Sequence, residues 1–459
     1  MKLTIPDNIK NLMQVILDNK YKVFAVGGAV RDSILGVEPH DWDLFTSCPG
    51  DKLLELFPQG VVLGGEERQE KILTVIVDDV EISEFRLDSK REQTGGDIES
   101  HCQTCDFTVN SLAADIDGRV YDYTGGMADL QNRVLRFVGQ ATHRIAEDPL
   151  RALRGIRFIA KFGLEPEAYT EDVLENTWGY IQNLPVERIR DEFFKVVAED
   201  NGIQMLAKYR VLQPFIPEIS KCNIEGGPYH AEGVLQHIIF AFETAREITD
   251  DKRIWLAALL HDIGKPASVS YDEDNNIHFF QHHKIGADWT RKWMEHYKFS
   301  KADIDFVCTL IYEHMWADRD GAPSKKSYIK HFKNMEDNGV SVMDYVKLIY
   351  CDHQGNMAHE RVKFGDFVST SILQMKYAEL KYTKTPFSVK DLEISGQDVM
   401  DIGKVEKGPI IGFTLKYVFN EVMDGNIENS RPVLMNYLKK IFKDVKFLEL
   451  QASCKEKLK

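Results

Sequence analysis

The chain has 459 residues, with 57 Lys or Arg against 72 Asp or Glu and a net charge of −15. Its length predicts two to four domains, and its acidity argues against a nucleic-acid binder held by bulk attraction. Its longest apolar run, Ile254 to Leu260, falls far short of the roughly 20 residues that cross a bilayer. Seven cysteines show no framework spacing, which fits a reducing compartment. A cytoplasmic protein with no membrane partner and no signal peptide is expected, because Leu12, Val15 and Ile16 recur at helical spacing in a polar leading segment.

After this predicted amphipathic helix over residues 1–20 comes Lys22 to Phe45, KVFAVGGAVRDSILGVEPHDWDLF. Val23 to Val26 has the length and branching of a buried strand. Gly27 and Gly28 make a tight turn, and Ala29 to Leu35 reads as a short helix closed by Gly36. Backbone N–H groups at such a helix start can approach an anion closely, and phosphate is the expected one. Asp41 and Asp43 flank Trp42 on a predicted second strand. Strand alternation sends both carboxylates to one side, and two such oxygen donors suit Mg²⁺.

Lys71 to Arg86 alternates as an antiparallel hairpin turning at Asp78-Asp79. Asp88 to Cys105 reads as a mobile loop, and Phe107 to Ala114 is apolar at helical spacing. Cys102 and Cys105 beside His101 suggest zinc, but no second pair supplies the four ligands a structural site needs. Between Arg133 and Lys161 lie seven Arg or Lys against Glu147 and Asp148, a basic patch in an acidic chain. From Ile145 onward the pattern is helical almost to the end, and Pro214 to Pro228 is the best interior boundary.

GGAVRD at Gly27 to Asp32, DWD at Asp41 to Asp43, DFTVNSLAAD at Asp106 to Asp115, YDYTGGMADLQNRVLRFVG at Tyr121 to Gly139, EDPLRALRGIRF at Glu147 to Phe158 and VERIRDE at Val186 to Glu192 follow one another in order. This ordered set resembles the bacterial class II tRNA nucleotidyltransferases, the CCA-adding enzymes and their poly(A) polymerase relatives. Nucleotidyl transfer needs metal ions to activate a 3′-hydroxyl and to neutralise a triphosphate. The resemblance implies that Asp41 and Asp43 hold Mg²⁺, with Glu81 or Glu84 as a third carboxylate. It also implies that Gly27, Gly28, Arg31 and Asp106 belong to the nucleotide site. Asp148, Arg151, Arg154 and Arg157, at i, i+3, i+6 and i+9 of a presumed helix, match the family's base-reading positions; a basic helix face with internal salt bridges is the plainer alternative. Glu187 and Glu192 match a bracing motif. The family usually has Arg-Arg-Asp before the FTxNxLA segment, whereas this chain has Thr104-Cys105-Asp106. Arg86 and Arg91 are the candidates to replace that phosphate contact.

A second constellation comprises His237, His261, Asp262, His282, His314 and Asp352, and WLAALLHDIGK at Trp255 to Lys265 resembles the HD phosphohydrolase superfamily. That resemblance implies one or two metal ions. Imidazole with carboxylate suits Mn²⁺, Ni²⁺, Co²⁺ or Fe²⁺ better than Mg²⁺. His283 and His353 are neighbouring residues with a substrate-contacting or merely solvated role. Leu392 to Leu434 resembles the tail of the same enzymes, either cradling tRNA or serving as a plain packing module.

The expected fold is α+β: a small mixed α/β nucleotidyltransferase head, 1–145, then an elongated all-α body. The body divides into a neck for base recognition and RNA binding at 146–225, an HD domain at 226–357 and a helical tail for tRNA binding at 358–459. The expected function is addition of C and A from CTP and ATP to tRNA 3′ ends with Mg²⁺, beside an HD phosphohydrolase of the 2′,3′-cyclic phosphodiesterase type; no protein partner is expected. Alternatives are a poly(A) polymerase, an A-only or CC-only enzyme, an HD phosphohydrolase whose head binds nucleotide or RNA, and a non-enzymatic RNA-binding protein.

Overall fold

Residues 2–39, 41–65, 70–87, 93–225, 233–316, 323–356, 362–369, 372–383 and 385–444 are described by a computed structural model. The chain divides into two units, Met1–Pro217 and Glu218–Lys459.

In the first unit, the helix Asp7–Asp18 buries Ile9, Leu12, Met13 and Ile16 as an apolar stripe, whereas Val15 of the expected stripe is exposed. Strands β1 (Val23–Val26), β2 (Asp43–Thr46), β3 (Val61–Gly65), β4 (Glu70–Val77), β5 (Val80–Glu84), β6 (Leu112–Ala114) and β7 (Val120–Asp122) form one sheet in the order β3-β4-β5-β2-β1-β6-β7. Neighbours are antiparallel except β2 and β5, whose parallel register sets Asp43 beside Glu81. The β4–β5 hairpin turns at Asp78 and Asp79, both with positive φ, as its two-residue length requires. Val75, Leu44, Ile82, Ala25 and Ala113 are buried. Each large apolar side chain among them contributes about 1.5–3 kcal/mol through burial.

Four local expectations change. The second strand begins at Asp43, so Asp41 precedes it. Phe107 to Ala114 is a single 3₁₀ turn, Thr108–Asn110, followed by β6, because pairing with β1 overrides the helical spacing. The expected loop before it contains the helix Ile98–Cys102, started by an Asp97–Ser100 capping box; residues 88–92, including Arg91, lie outside the described residues. The region after Ile145 includes a hairpin of Val269–Tyr271 with Ile277–Phe279, whose turn Asp272 closes by accepting from the Asp274 and Asn276 N–H groups.

The helices Leu150–Phe162 and Val186–Val197 pack together in the first unit. In the second, the helices Val234–Ile248, Lys252–Leu260, His282–His296, Lys301–Glu313 and Val342–Gly355 build the histidine site. Leu392, Val399, Val418, Val422, Leu434 and Leu438 form a core for the tail helices; one of these, Pro409–Met423, opens after Gly408 with Pro409 at its first position. No described helix is long and apolar enough to cross a membrane.

Candidate active sites

The first site is a cavity of about 460 Å³ in the first unit. Gly27 connects β1 to the helix Gly28–Leu35 with φ of 92°, a left-handed conformation that favours glycine. Gly27, Gly28, Arg31, Asp43, Glu81 and Asp106 line the cavity from the sheet side, and Asp148, Arg151, Arg154 and Arg157 line it from the helical side. Asp41 stands exposed two residues before Asp43 and is not in the lining.

The two candidates for a third carboxylate separate here. Glu81 is level with Asp43 and lines the cavity. Glu84 instead accepts from the Gly50 N–H at 2.5 Å, capping the helix Gly50–Leu56. Asp43 and Glu81 offer the carboxylate oxygens that hard divalent cations take; with Asp41 they form no metal-binding group among the described residues.

Several cavity cations are already engaged. Arg31 is buried, donates to Asp32 and Asn110, and lies 4.3 Å from the Phe162 ring centre. Arg151 donates to Glu147 at 2.7 Å, and Arg154 reaches Asp106 at 2.6 Å. Burial opposes ionisation of Asp106, but Arg154, the Asn110 amide and the Phe107 N–H outweigh it and hold the carboxyl below its ordinary range. Arg157 Nε stands 3.1 Å from buried Glu192, so the bracing motif meets this helix directly. Asp148 is not on the helix: it is extended at its start, where it accepts from the Leu150 N–H and pairs with Arg188 at 3.1 Å. Pro149 at the helix cap explains the break.

Arg86, Cys105 and His101 also line the cavity. The Arg86 guanidinium lies 5.0 Å from the centre of the Phe45 ring, on which His101 packs at 4.0 Å. Burial, then the charge of Arg86, push His101 down to about 3. His101 is therefore a neutral wall residue, and its Nδ1 accepts from the Arg86 backbone N–H. Cys102, Cys105 and His101 form no metal-binding group among the described residues.

The second site joins all six residues singled out in the sequence as two adjoining trios, His237–His261–Asp352 and Asp262–His282–His314. The His-Asp pair lies in the turn just after the helix Lys252–Leu260. Gly264 is required there, because a Cβ would stand 2.2 Å from the His282 carbonyl oxygen. His261, His282 and His314 direct Nδ1 at the carbonyls of Ala258, Phe279 and Ile311, 2.7–2.8 Å away. With each Nδ1–H donated, the Nε2 lone pairs face inward. His237 and His261 Nε2 are 3.0 Å apart, and His282 and His314 Nε2 are 3.1 Å apart.

The facing lone pairs of His282 and His314 would repel at that distance, and a metal ion held by both would remove the repulsion. Asp262 reaches both trios: Oδ2 is 3.3 Å from His261, and Oδ1 is 3.1 Å from His282. Asp352 lies 3.0 Å from His237. Burial opposes the charge on Asp262, but Lys265, 2.6 Å away, and His261 hold it well below the carboxylate range. Lys265 was missed as a member of the site, although its i,i+3 spacing from Asp262 was readable.

The family model described as "Poly A polymerase head domain" matches residues 23–136, "Probable RNA and SrmB- binding site of polymerase A" matches 163–222, and "HD domain" matches 234–345. Poly(A) polymerase I of Salmonella typhi is 30% identical over 257 residues, 51% of this chain and 55% of that protein; the chain thus spans about half the length of that relative. A CCA-adding enzyme of Streptococcus suis is 26% identical over 97% of this chain and 100% of its own. In fold, the chain resembles the Bacillus stearothermophilus CCA-adding enzyme, solved in complex with CTP, with a TM-score of 0.64 and 19% identity over 94% of this chain and 96% of that one. The chain thus carries regions similar to a poly(A) polymerase head, an RNA-binding segment and an HD domain. The chain is similar to CCA-adding enzymes over nearly its whole length and to poly(A) polymerase I over about half of it.

Proposed function

We propose that the chain adds C and A from CTP and ATP to tRNA 3′ ends, and that its HD centre hydrolyses phosphoesters at RNA ends. The observation that carries the first half is the single cavity in which the Gly27-Gly28 turn, Asp43 with Glu81, and the helix of Arg151, Arg154 and Arg157 converge. The whole-length likeness to CCA-adding enzymes supports tRNA as acceptor.

In this reading Asp43 and Glu81, with Asp41, would hold Mg²⁺, which would supply acidification of the 3′-hydroxyl and neutralisation of the triphosphate. The backbone N–H groups following Gly27 receive phosphate oxygens. Arg31, fixed by Asp32, Asn110 and Phe162, contributes positive charge at a set position. Asp148 and Arg154 offer an acceptor and donors to the base edge, the combination that distinguishes C and A by hydrogen bonding. Arg157, turned toward Glu192, orients that helix instead of reading the base. At the HD centre the two trios would hold a pair of transition divalent ions such as Mn²⁺, which would supply an acidified water. Lys265 keeps Asp262 ionised. A cytoplasmic location goes with this reading.

Incubation with tRNA transcripts ending before the first C, after CC and after CCA tests it. Completion to CCA and arrest is expected. Continued A addition overturns it in favour of a poly(A) polymerase, and no incorporation alongside loss of a 2′,3′-cyclic phosphate leaves an HD phosphohydrolase with a binding head.

A further inference from the structure

Phe280 sits between the Val269–Tyr271/Ile277–Phe279 hairpin and the helix His282–His296, two residues before a histidine of the HD centre, and is 70% exposed. A large aromatic side chain so placed costs solvation, and the backbone on either side of it is held. The preceding carbonyl, of Phe279, accepts from His282 Nδ1 at 2.8 Å. The Phe279 ring lies 5.3 Å from Lys265 Nζ, which in turn contacts Asp262. Next along the chain, Gln281 takes a φ of 62°, a left-handed conformation uncommon for a residue other than glycine. On the other side, the His278 ring stacks on Phe280 at 5.4 Å and 15°, and is itself pinned by Asp272, 2.9 Å from its Nε2. Phe280 is therefore a flat apolar surface held out to solvent beside a metal centre, with its backbone tethered to that centre.

We infer that Phe280, backed by His278, is a base-stacking residue of the HD centre. It receives the nucleobase of a nucleoside 2′,3′-cyclic phosphate, free or at the end of an RNA, whose phosphoester lies at the two trios. Aromatic stacking accepts any base because each presents a π-face, so the residue supplies affinity for nucleotides without selecting among them. The inference rests on the phosphohydrolase reading given above.

The test uses full-length, Mn²⁺-loaded protein and 2-aminopurine riboside 2′,3′-cyclic phosphate, free and as the last nucleotide of a short RNA. Stacking on Phe280 quenches the fluorescence of the base, and Phe280→Ala relieves the quench while Phe280→Trp restores it. In hydrolysis, Phe280→Ala raises KM by roughly 5–150-fold with kcat held, the range set by one stacked base. Quenching by either substrate form supports the inference and identifies its source. Wild-type hydrolysis with the same KM and fluorescence in Phe280→Ala overturns the inference alone, whereas wild type that hydrolyses neither form overturns the phosphohydrolase reading and this inference with it.

Discussion

Arg154 Nη2 lies 2.6 Å from Asp106 Oδ2, so the helix that faces the first cavity is tied to the turn leading into β6. Because Asp106 is held below the ordinary carboxyl range, its folded pKa lies under its unfolded one. The resulting stabilisation is complete above about pH 4 and is lost as pH falls through the folded value. Asp106→Asn keeps the shape and removes the charge. Chemical denaturation at pH 7 should show a loss of about 2 kcal/mol, shrinking below about pH 3. An equal loss at both pH values would rule out the ion pair as its origin.

Glu81 and Glu84 share a strand but have different partners, and substitution should separate them. Glu81→Gln is expected to cut nucleotide incorporation by about 100-fold at unchanged stability, a loss in the range of one charge-stabilising group. Glu84→Gln weakens the contact to the Gly50 N–H, costing about 1 kcal/mol with little effect on the rate. Single-turnover incorporation and thermal melting, run on both variants, decide the matter; the reverse pattern would move the third carboxylate to Glu84.

At the HD centre the two trios predict two divalent ions per chain after Mn²⁺ loading, measured by elemental analysis. Replacing both His282 and His314 with Ala should leave one ion and spare nucleotide incorporation. An unchanged metal content would show that the second trio is not a binding site.

Arg86 lines the cavity next to Cys105, where the resembled enzymes carry an additional Arg. Arg86→Ala is expected to raise KM for CTP and ATP by about tenfold, the effect of one charge-assisted phosphate contact, and Cys105→Arg in that background should recover most of it. If Cys105→Arg leaves both constants unchanged in wild type and variant alike, this corner does not touch the triphosphate.

Local chemistry by itself determined the Gly27-Gly28 turn, the hairpin at Asp78-Asp79, the leading helix and the adjacent His261-Asp262 pair. Glycine, paired turn residues and histidine beside aspartate each carry their meaning within a few positions. What depends on pairing between distant segments was decided only in the tertiary structure. Thr108 to Ala114 became a 3₁₀ turn and a strand because β1 offers a partner. The parallel register of β2 with β5 chose Glu81 over Glu84 for the cavity wall. The packing of Val186–Val197 against Leu150–Phe162 turned Arg157 into a partner of Glu192. Each of these choices is set by which backbone groups and charges find partners across the fold, a condition the order of residues along the chain does not contain.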